Sequence, residues 1–445
     1  MLNLLRVTAL IAGGAIASAA FADGHAGGPY AAYEGTTLVV NFPSHPHYNA
    51  VMEVLPEFTE QTGIEVEVDM LPYLDMRERQ TLELALDEGA YDLIAYVVFS
   101  KADYVYADQI YNLAPFFMNP RLADPGYDPE DLIDGYVQNI GVAGGEKGYL
   151  PGPTGSLYGL PFGSETSVLY YRADIFEKHG LEVPTTYDAF LDLACRIPEL
   201  EPGMGGVASR AASGHQASHA FLLHLAPLGG RVFDDAWNPI INNDAGVEAA
   251  QALKSIVDCG PEGSSAFGPQ EAANAFAQGQ AAMYLDSIAF APWFEDPSRS
   301  TVVGNVGWAP HPTGVRAASQ TGGFGLAIPR NAENPEAAFL LMQWLTSREG
   351  DLMVAMAGGN PSRFSTYENA DLNAKYPWSA TFGQALENAD PDWRPIIPAW
   401  GKINADIGTT MSQVLTEDLD IQTALDGIAE RTRALMEEEG YYIWQ

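Results

Sequence analysis

The stretch Thr37-Leu-Val-Val-Asn-Phe42 decides the fold, because it begins a regular alternation of strands and helices. An amphipathic helical pattern follows it, and residues 64–70 then alternate charged and apolar side chains as a half-buried strand does. A second helical pattern over residues 76–86 leads to Tyr91-Asp-Leu-Ile-Ala-Tyr-Val-Val98, which is apolar enough to be buried on both faces. This order predicts an α/β fold with a mostly parallel sheet covered by helices.

A second α/β region follows a connection rich in Gly and Pro over residues 143–155. Periodic patterns predict helices near residues 187–195, 217–225 and 245–257, and a strand near residues 281–286. Roughly 420 residues remain once the N-terminal segment discussed next is set aside. A chain of that length is long for one hydrophobic core and natural for two lobes.

Residues 1–22 have the layout of a secretory signal peptide. They carry one charge, Arg6, then a short apolar run that closes on Ala20-Phe-Ala22. The apolar run is too short to span a membrane. The pattern predicts export to the periplasm with cleavage near Ala22, and a soluble mature protein.

The chain is strongly acidic, with 58 Asp and Glu against 22 Lys and Arg and a formal net charge of −36. Such a field repels nucleic acid and anionic membrane surfaces, so neither is expected as a partner. It also weakly disfavours an anionic ligand. The acidity is equally consistent with a role in solvation, which would carry no information about the ligand.

The two cysteines are Cys195 and Cys259. In an oxidising compartment an even pair favours a disulfide, and the alternative is two buried thiols. No Cys and His spacing typical of zinc sites is present, so neither a metal nor another cofactor is expected.

Four segments of the chain share a family pattern in their order and spacing. They are Leu157-Tyr-Gly-Leu-Pro-Phe162 with 169–181 and 184–190; 276–286 with Pro292-Trp293; 307–312 with 323–329 and 334–346; and Gly358-Gly-Asn-Pro-Ser-Arg363. Together they resemble the extracellular solute-binding proteins of the maltose-binding type, which serve ABC importers. The resemblance covers nearly the whole chain beyond the signal segment. Within this family, the chain is similar to the branch that binds sugar alcohols and monosaccharides. It differs at Gly322-Gly-Phe-Gly325, where that branch would have a tryptophan.

The resemblance implies a two-lobed periplasmic binding protein fold with a ligand cleft between the lobes. The first lobe is expected to comprise residues 36–163 and 287–345, and the second lobe residues 168–283 and 350–445. Crossing segments would lie near residues 163–167, 283–287 and 345–350.

A neutral sugar or polyol has an apolar C–H face and a rim of hydroxyl groups that donate and accept hydrogen bonds. Its site needs aromatic surfaces and charged planar groups, because charge-assisted hydrogen bonds are the strong ones. Residues of these types at strand ends and near the expected crossings are the candidates. They are Asp286, Trp293, Arg363, Trp400, Glu165, Ser44, His45, Tyr96, Phe99, His215, Gln216 and His219.

Each main candidate has a structural alternative. Asp286 accepts ligand hydrogen bonds or caps a helix. Arg363 contacts the ligand or pairs with a surface acid. Trp293 and Trp400 stack on the ligand or pack in the core. The histidines bind the ligand or serve as structural hydrogen-bonding residues.

The sequence thus predicts a monomeric, non-enzymatic periplasmic component of an ABC importer that delivers a neutral sugar or polyol to the membrane permease. An oligosaccharide, an amino-sugar or an opine remains open as the cargo. A secreted glycosidase is the rival function from another class, although no compact pair of acids at a strand end marks it. A Ser nucleophile motif is also missing, since the chain contains no Gly-x-Ser-x-Gly.

Overall fold

A computed structural model describes residues 28–144 and 155–442. The predicted signal segment, residues 1–22, lies outside the described residues. The strands are β1 (Thr37–Pro43), β2 (Glu65–Leu71), β3 (Leu93–Val97), β4 (Val142–Ala143), β5 (Ser156–Leu157), β6 (Leu160–Glu165), β7 (Ser167–Arg172), β8 (Gly205–Ala208), β9 (Ala281–Ser287), β10 (Val306–Pro310) and β11 (Gly322–Ala327).

The helices lie between and after these strands. They are α1 (Pro46–Thr62), α2 (Tyr73–Glu83), α3 (Lys101–Tyr106), α4 (Ala114–Phe117), α5 (Asp134–Tyr136), α6 (Ala173–His179), α7 (Tyr187–Leu200), α8 (His215–Leu225), α9 (Asp244–Asp258), α10 (Pro269–Ala277), α11 (Ala291–Phe294), α12 (Pro335–Leu345), α13 (Arg348–Met356), α14 (Phe364–Tyr367), α15 (Ala370–Lys375), α16 (Ser379–Glu387), α17 (Trp400–Thr416) and α18 (Ile421–Glu438). Among the described residues, no helix combines the length and apolar character needed to cross a membrane.

Two sheets form the centres of the two lobes, which confirms the predicted two-lobed α/β architecture. The first sheet has the order β2-β1-β3-β11-β6 and the second the order β10-β7-β9-β8. The prediction of mostly parallel sheets is wrong. Strand β11 runs antiparallel to β3 and β6, and β7 runs antiparallel to β9 and β10. Both antiparallel strands follow a crossing: β7 enters the second sheet directly from β6, and β11 returns to the first sheet after β10.

Helix α1 shows how local sequence places the strand ends. The ring of His45 accepts a hydrogen bond from the backbone of His47 and caps the first turn, and Pro46 fixes the next backbone angle. The helix ends at Gly63, which adopts the left-handed conformation (φ 71°) that glycine tolerates best. The cap therefore holds His45 at the carboxyl end of β1.

The chain passes from the first sheet to the second through a single residue, Thr166. Strand β6 ends at Glu165 and β7 begins at Ser167, as predicted for the first crossing. Thr166 is fully buried, and its hydroxyl lies 2.8 Å from the carbonyl oxygen of Gln320. Because Gln320 belongs to the segment that returns to the first sheet, this contact ties two crossings together.

The predicted lobe boundaries need two corrections. Strand β10 pairs with β7 of the second sheet, so the chain returns to the first lobe between Pro310 and Gly322 and not near residues 283–287. Strand β9 lies wholly in the second sheet. Helix α13 packs on α1 and α12 of the first lobe, so the chain leaves that lobe after Met356 and not near residues 345–350. Both errors arise because strand and helix partners are distant in sequence.

Strands β6 and β11 approach each other closely beside this crossing. A Cβ atom on Gly323, whose φ is 93°, would lie 2.1 Å from the carbonyl oxygen of Gly163. Any side chain at this position would therefore separate the two strands, so the local geometry requires glycine.

The second lobe contains a disulfide between Cys195 and Cys259, at a sequence separation of 64 residues. Cys195 lies in α7, and Cys259 follows the last residue of α9. The bond therefore fastens together two helices that flank the second sheet.

We predict that titration of the denatured, unreduced protein will find no free thiol. Replacing both cysteines by serine should lower the free energy of unfolding by about 4 kcal/mol, because a cross-link over this separation restricts the unfolded chain. Reduced wild-type protein is the matched control, and it should have the same melting temperature as the serine variant. Two free thiols per chain would show that the bond does not form.

Candidate ligand-binding site

Polar and aromatic side chains from both lobes meet where the strand ends face each other across the crossing. We call this group the interlobe cluster. It comprises His45, Arg77, Phe99 and Glu165 from the first lobe and Arg210, His215, Gln216, His219, Asp286, Ser287, Trp393 and Arg394 from the second.

A buried ion pair joins Asp286 to Arg210. Asp286 is the next-to-last residue of β9, and it has no solvent exposure. The Nε and Nη2 atoms of Arg210 donate to its two carboxylate oxygens at 2.6 and 2.5 Å, in the bidentate geometry that gives strong and directional bonds. Burial alone would lower the pKa of Arg210, but the charge and hydrogen bonds of Asp286, together with Tyr284 and Glu165, outweigh burial and raise that pKa. Asp286 is therefore an ion-pair partner and does not cap a helix with its side chain.

Glu165 lies beside this pair at the end of β6. Its carboxylate accepts hydrogen bonds from Ser287 Oγ at 2.5 Å and contacts His45 Nε2 at 3.1 Å. Burial would raise the pKa of Glu165, but the His45 and Ser287 contacts and the Arg210 charge outweigh it and lower that pKa. Glu165 is thus ionised and held by residues from both lobes.

The start of α8 supplies the neutral polar groups of the cluster. Gln216 Oε1 accepts from Arg210 Nη1 at 3.3 Å, and His219 Nδ1 lies 2.8 Å from Arg394 Nη2. Burial, aided by Arg394, Arg210 and Arg77, lowers the pKa of His215 to about 3. Burial and the same neighbouring guanidinium groups Arg210 and Arg394 also hold the pKa of His219 well below its usual value. Both imidazoles are therefore uncharged at neutral pH.

Phe99 provides an aromatic surface between the lobes. It packs against the cores of both lobes, and its ring centre lies 6.1 Å from that of His215. The guanidinium carbons of Arg77 and Arg394 lie 4.7 and 5.8 Å from its centre. Trp393 adds a second ring, over which Arg394 lies at 4.0 Å. The cluster thus combines aromatic faces with planar charged groups, which suits a ligand with an apolar face and a polar rim.

Several residues predicted from the sequence come together in this cluster. They are His45, Phe99, Glu165, His215, Gln216, His219 and Asp286. Ser44 lies at the predicted strand end but is exposed, and its backbone N–H donates to the carbonyl oxygen of Leu71.

Two predicted polar residues form their hydrogen bonds outside the interlobe cluster. Tyr96 is fully buried in the core, and its hydroxyl donates to the carbonyl oxygen of Ile140 at 2.6 Å. Arg363 is also fully buried. It donates to three backbone carbonyl groups and contacts Asp131 at 3.1 Å. Neither side chain has a donor or acceptor directed to the cluster, so the prediction is wrong for both.

Of the two predicted tryptophan platforms, Trp400 is a core residue of the second lobe, whereas a stacking role for Trp293 stays a prediction. The guanidinium carbon of Arg299 lies 3.8 Å from the ring centre of Trp293, and Phe290 packs edge-on against the same ring. Trp400 begins α17 and is buried in the second-lobe core at 2% exposure. The sequence showed large rings beside turns but not which rings the lobes cover.

No sequence pattern singled out five members of the cluster, which are Arg77, Arg210, Ser287, Trp393 and Arg394. A usable signal existed for Arg210, which is the second residue after the carboxyl end of β8, where ligands of such sheets gather. That strand reads Gly-Gly-Val-Ala, and its small residues hid it from a search for β-branched runs.

Known proteins resemble this chain over most of its length. Residues 43–351 match the family described as bacterial extracellular solute-binding protein. The chain belongs to this family. This solute-binding protein is 28% identical over 393 residues to a mannitol-binding protein of Pseudomonas aeruginosa. The matched region covers 82% of this chain and 85% of the relative. It is 26% identical over 345 residues to an erythritol/L-threitol-binding protein of Mycolicibacterium smegmatis, covering 75% of this chain and 72% of the relative.

The fold is shared with solved structures of the same kind. An ABC transporter solute-binding protein from Agrobacterium radiobacter K84, determined in complex with ribitol, superposes with a TM-score of 0.80 at 24% identity. The match covers 91% of this chain and 99% of that chain. At this identity the likeness establishes the two-lobed fold of the solute-binding protein.

We predict that Asp286→Asn will lower the stability of the unliganded solute-binding protein and will also weaken its ligand binding. The substitution leaves Arg210 buried beside a neutral amide, so the free energy of unfolding should fall by about 2 kcal/mol, the worth of a hydrogen bond to a charged group. Chemical denaturation measures the loss.

Asp174→Asn is the matched control, because Asp174 forms an ion pair with Arg172 but is 38% exposed. Exposed ion pairs contribute about 0–1 kcal/mol, so this variant should stay close to wild type. Equal losses in the two variants would contradict the special role of the buried pair.

Proposed function

We propose that this protein captures a small polyhydroxylated solute, a sugar or polyol, in the interlobe cluster and delivers it to the membrane permease of an ABC importer. The observation that carries the proposal is the meeting, at one seam, of ionised planar groups from both lobes beside an aromatic ring. Glu165 comes from the first lobe, the Asp286–Arg210 pair from the second, and Phe99 touches both.

Hydroxyl groups suit this array because each donates and accepts. The carboxylate of Glu165 accepts from a hydroxyl, and the guanidinium groups donate to one. Phe99 offers a face to the C–H side of the ligand. A ligand lacking a hydroxyl would leave one of these buried groups unpaired, which costs about 1–3 kcal/mol and gives the site its selectivity.

The relatives support this class of cargo. Those described above are named for mannitol and for erythritol and L-threitol, and the solved structure contains ribitol. All are linear polyols. A small solute also suits the described site, because Asp286, His219 and Arg394 are buried, with His219 2.8 Å from Arg394 and 3.9 Å from Asp286. A long oligosaccharide would need an open groove.

The carboxylates argue against the glycosidase alternative. Both oxygens of Asp286 accept from Arg210, and Glu165 is held by His45 and Ser287. A general acid must carry a proton near neutral pH, whereas the pKa of Glu165 is lowered. Binding without turnover is therefore the role that this chemistry favours.

Membership of an extracellular family supports export, and we propose that residues 1–22 direct it, with cleavage near Ala22 and function as a monomer in the periplasm. The first cargo test is a thermal-shift screen of sugars and linear polyols. A ligand present at 100 times its dissociation constant should stabilise the folded protein by about 2.7 kcal/mol. A flat response to the whole panel would overturn the proposed cargo.

We further predict that Glu165→Gln will weaken binding of the best ligand at least tenfold, because it removes the charge that strengthens the hydrogen bonds accepted from the ligand's hydroxyl groups. Calorimetric titration measures the change. Glu201→Gln is the matched control, since Glu201 also contacts a histidine, His179, but lies at the end of α7 away from the cluster. Unchanged affinity in Glu165→Gln would remove this residue from the site.

A further inference from the structure

Arg394 is a buried cation without a carboxylate partner in the part of the chain that the structure describes. It is 7% exposed, and its Nη2 atom lies 2.8 Å from the neutral His219 ring. Its Nε atom is buried and meets no hydrogen-bond acceptor. Its guanidinium group also lies over the faces of Trp393 and Phe99. An ionised group in this state costs several kcal/mol unless a partner arrives.

Other buried arginines of the chain are fully engaged. Arg210 pairs bidentately with Asp286, and Arg363 contacts Asp131 together with three carbonyl groups. Asp286 is the acid whose charge acts on Arg394, but both its oxygens already accept from Arg210. Arg394 is therefore the unsatisfied member of a cluster that otherwise compensates its charges.

The electrostatic surroundings of Arg394 also disfavour its charge. Burial lowers its pKa to about 9; Tyr73 and Asp286 oppose this decrease, and Arg210 adds to it. His215 and His219 are neutral, so they contribute no further charge to the cluster. Among the described residues, Asp286 acts on Arg394 only through its charge, and no carboxylate forms an ion pair with it.

We propose, on the basis of the proposed function, that Arg394 forms a carboxylate subsite and that the solute is a polyhydroxylated monocarboxylate such as an aldonate or uronate. The guanidinium fork matches a carboxylate geometrically, and the pairing supplies the missing anion. The hydroxyl-bearing carbons then extend along Phe99 toward Glu165 and the Asp286–Arg210 pair. A neutral polyol fits the same array but leaves the Arg394 charge uncompensated.

The acidity of the chain does not exclude an anionic ligand. Exposed charges are screened beyond about 8 Å at physiological salt, whereas a buried contact is screened much less. The overall field slows the approach of an anion, and the local pairing at Arg394 determines how tightly it is held once the lobes close.

The test is calorimetric titration with matched pairs of four-, five- and six-carbon alditols and aldonates, which share their hydroxyl configuration and differ only at C1. We expect at least one aldonate to bind tenfold or more tightly than its alditol. Arg394→Gln should weaken the binding of that aldonate by a factor at least ten times larger than the factor by which it weakens the binding of the alditol. Arg394→Lys keeps the charge and should retain part of the preference.

The melting temperature of the unliganded Arg394→Gln variant separates a binding role from a structural one. Removing an uncompensated buried cation should leave it unchanged or raise it, whereas a structural arginine would lower it. Arg316→Gln is the matched control, because Arg316 pairs with Asp390 near the same loop but lies outside the cluster, and its ligand preference should match wild type.

The outcomes are distinguishable. Alditols that bind as tightly as their aldonates in every pair would overturn the carboxylate subsite and leave the proposed polyol capture intact. An equal loss for both ligand classes in Arg394→Gln, with a lower melting temperature, would also overturn the subsite. Absence of binding across alditols, aldonates and sugars would overturn the proposed function and this inference together.

Discussion

The one-residue crossing at Thr166 is the constraint on which the rest of the molecule depends. With Glu165 ending one sheet and Ser167 beginning the other, the strand ends of the two lobes have to face the same seam. The buried Thr166 hydroxyl contacts the returning segment at Gln320, and the close approach of Gly163 and Gly323 lets the two strands pass side by side. A short crossing of this kind concentrates any rotation of the lobes in a few residues.

Charge placement follows from this geometry. Groups that would be costly to bury singly are buried in compensating sets, with Arg210 against Asp286 and Glu165 against His45 and Ser287. Such a preorganised array loses little freedom when a ligand arrives, because its side chains already hold their binding geometry. Arg394 departs from this pattern, and the departure makes it informative about the ligand.

The sequence predicted the lobes and part of the site, but local patterns could not reveal long-range partners. Asp286 was predicted because a recognisable apolar strand ends beside it, and His45 because it follows the carboxyl end of β1. Arg210 was missed because its strand is built of small residues. Trp400 was misassigned because its neighbours in sequence do not reveal that it starts a helix packed in the second-lobe core. The partner of β10 depends on a strand more than a hundred residues earlier, which no local periodicity encodes.

The central claim is that one solute is held by both lobes at once, so that binding draws the lobes together. Small-angle X-ray scattering with and without a saturating ligand tests it most directly. The account predicts a smaller radius of gyration in the bound state. An unchanged radius, with saturation verified by calorimetry in the same buffer, would contradict closure of the lobes around a shared site.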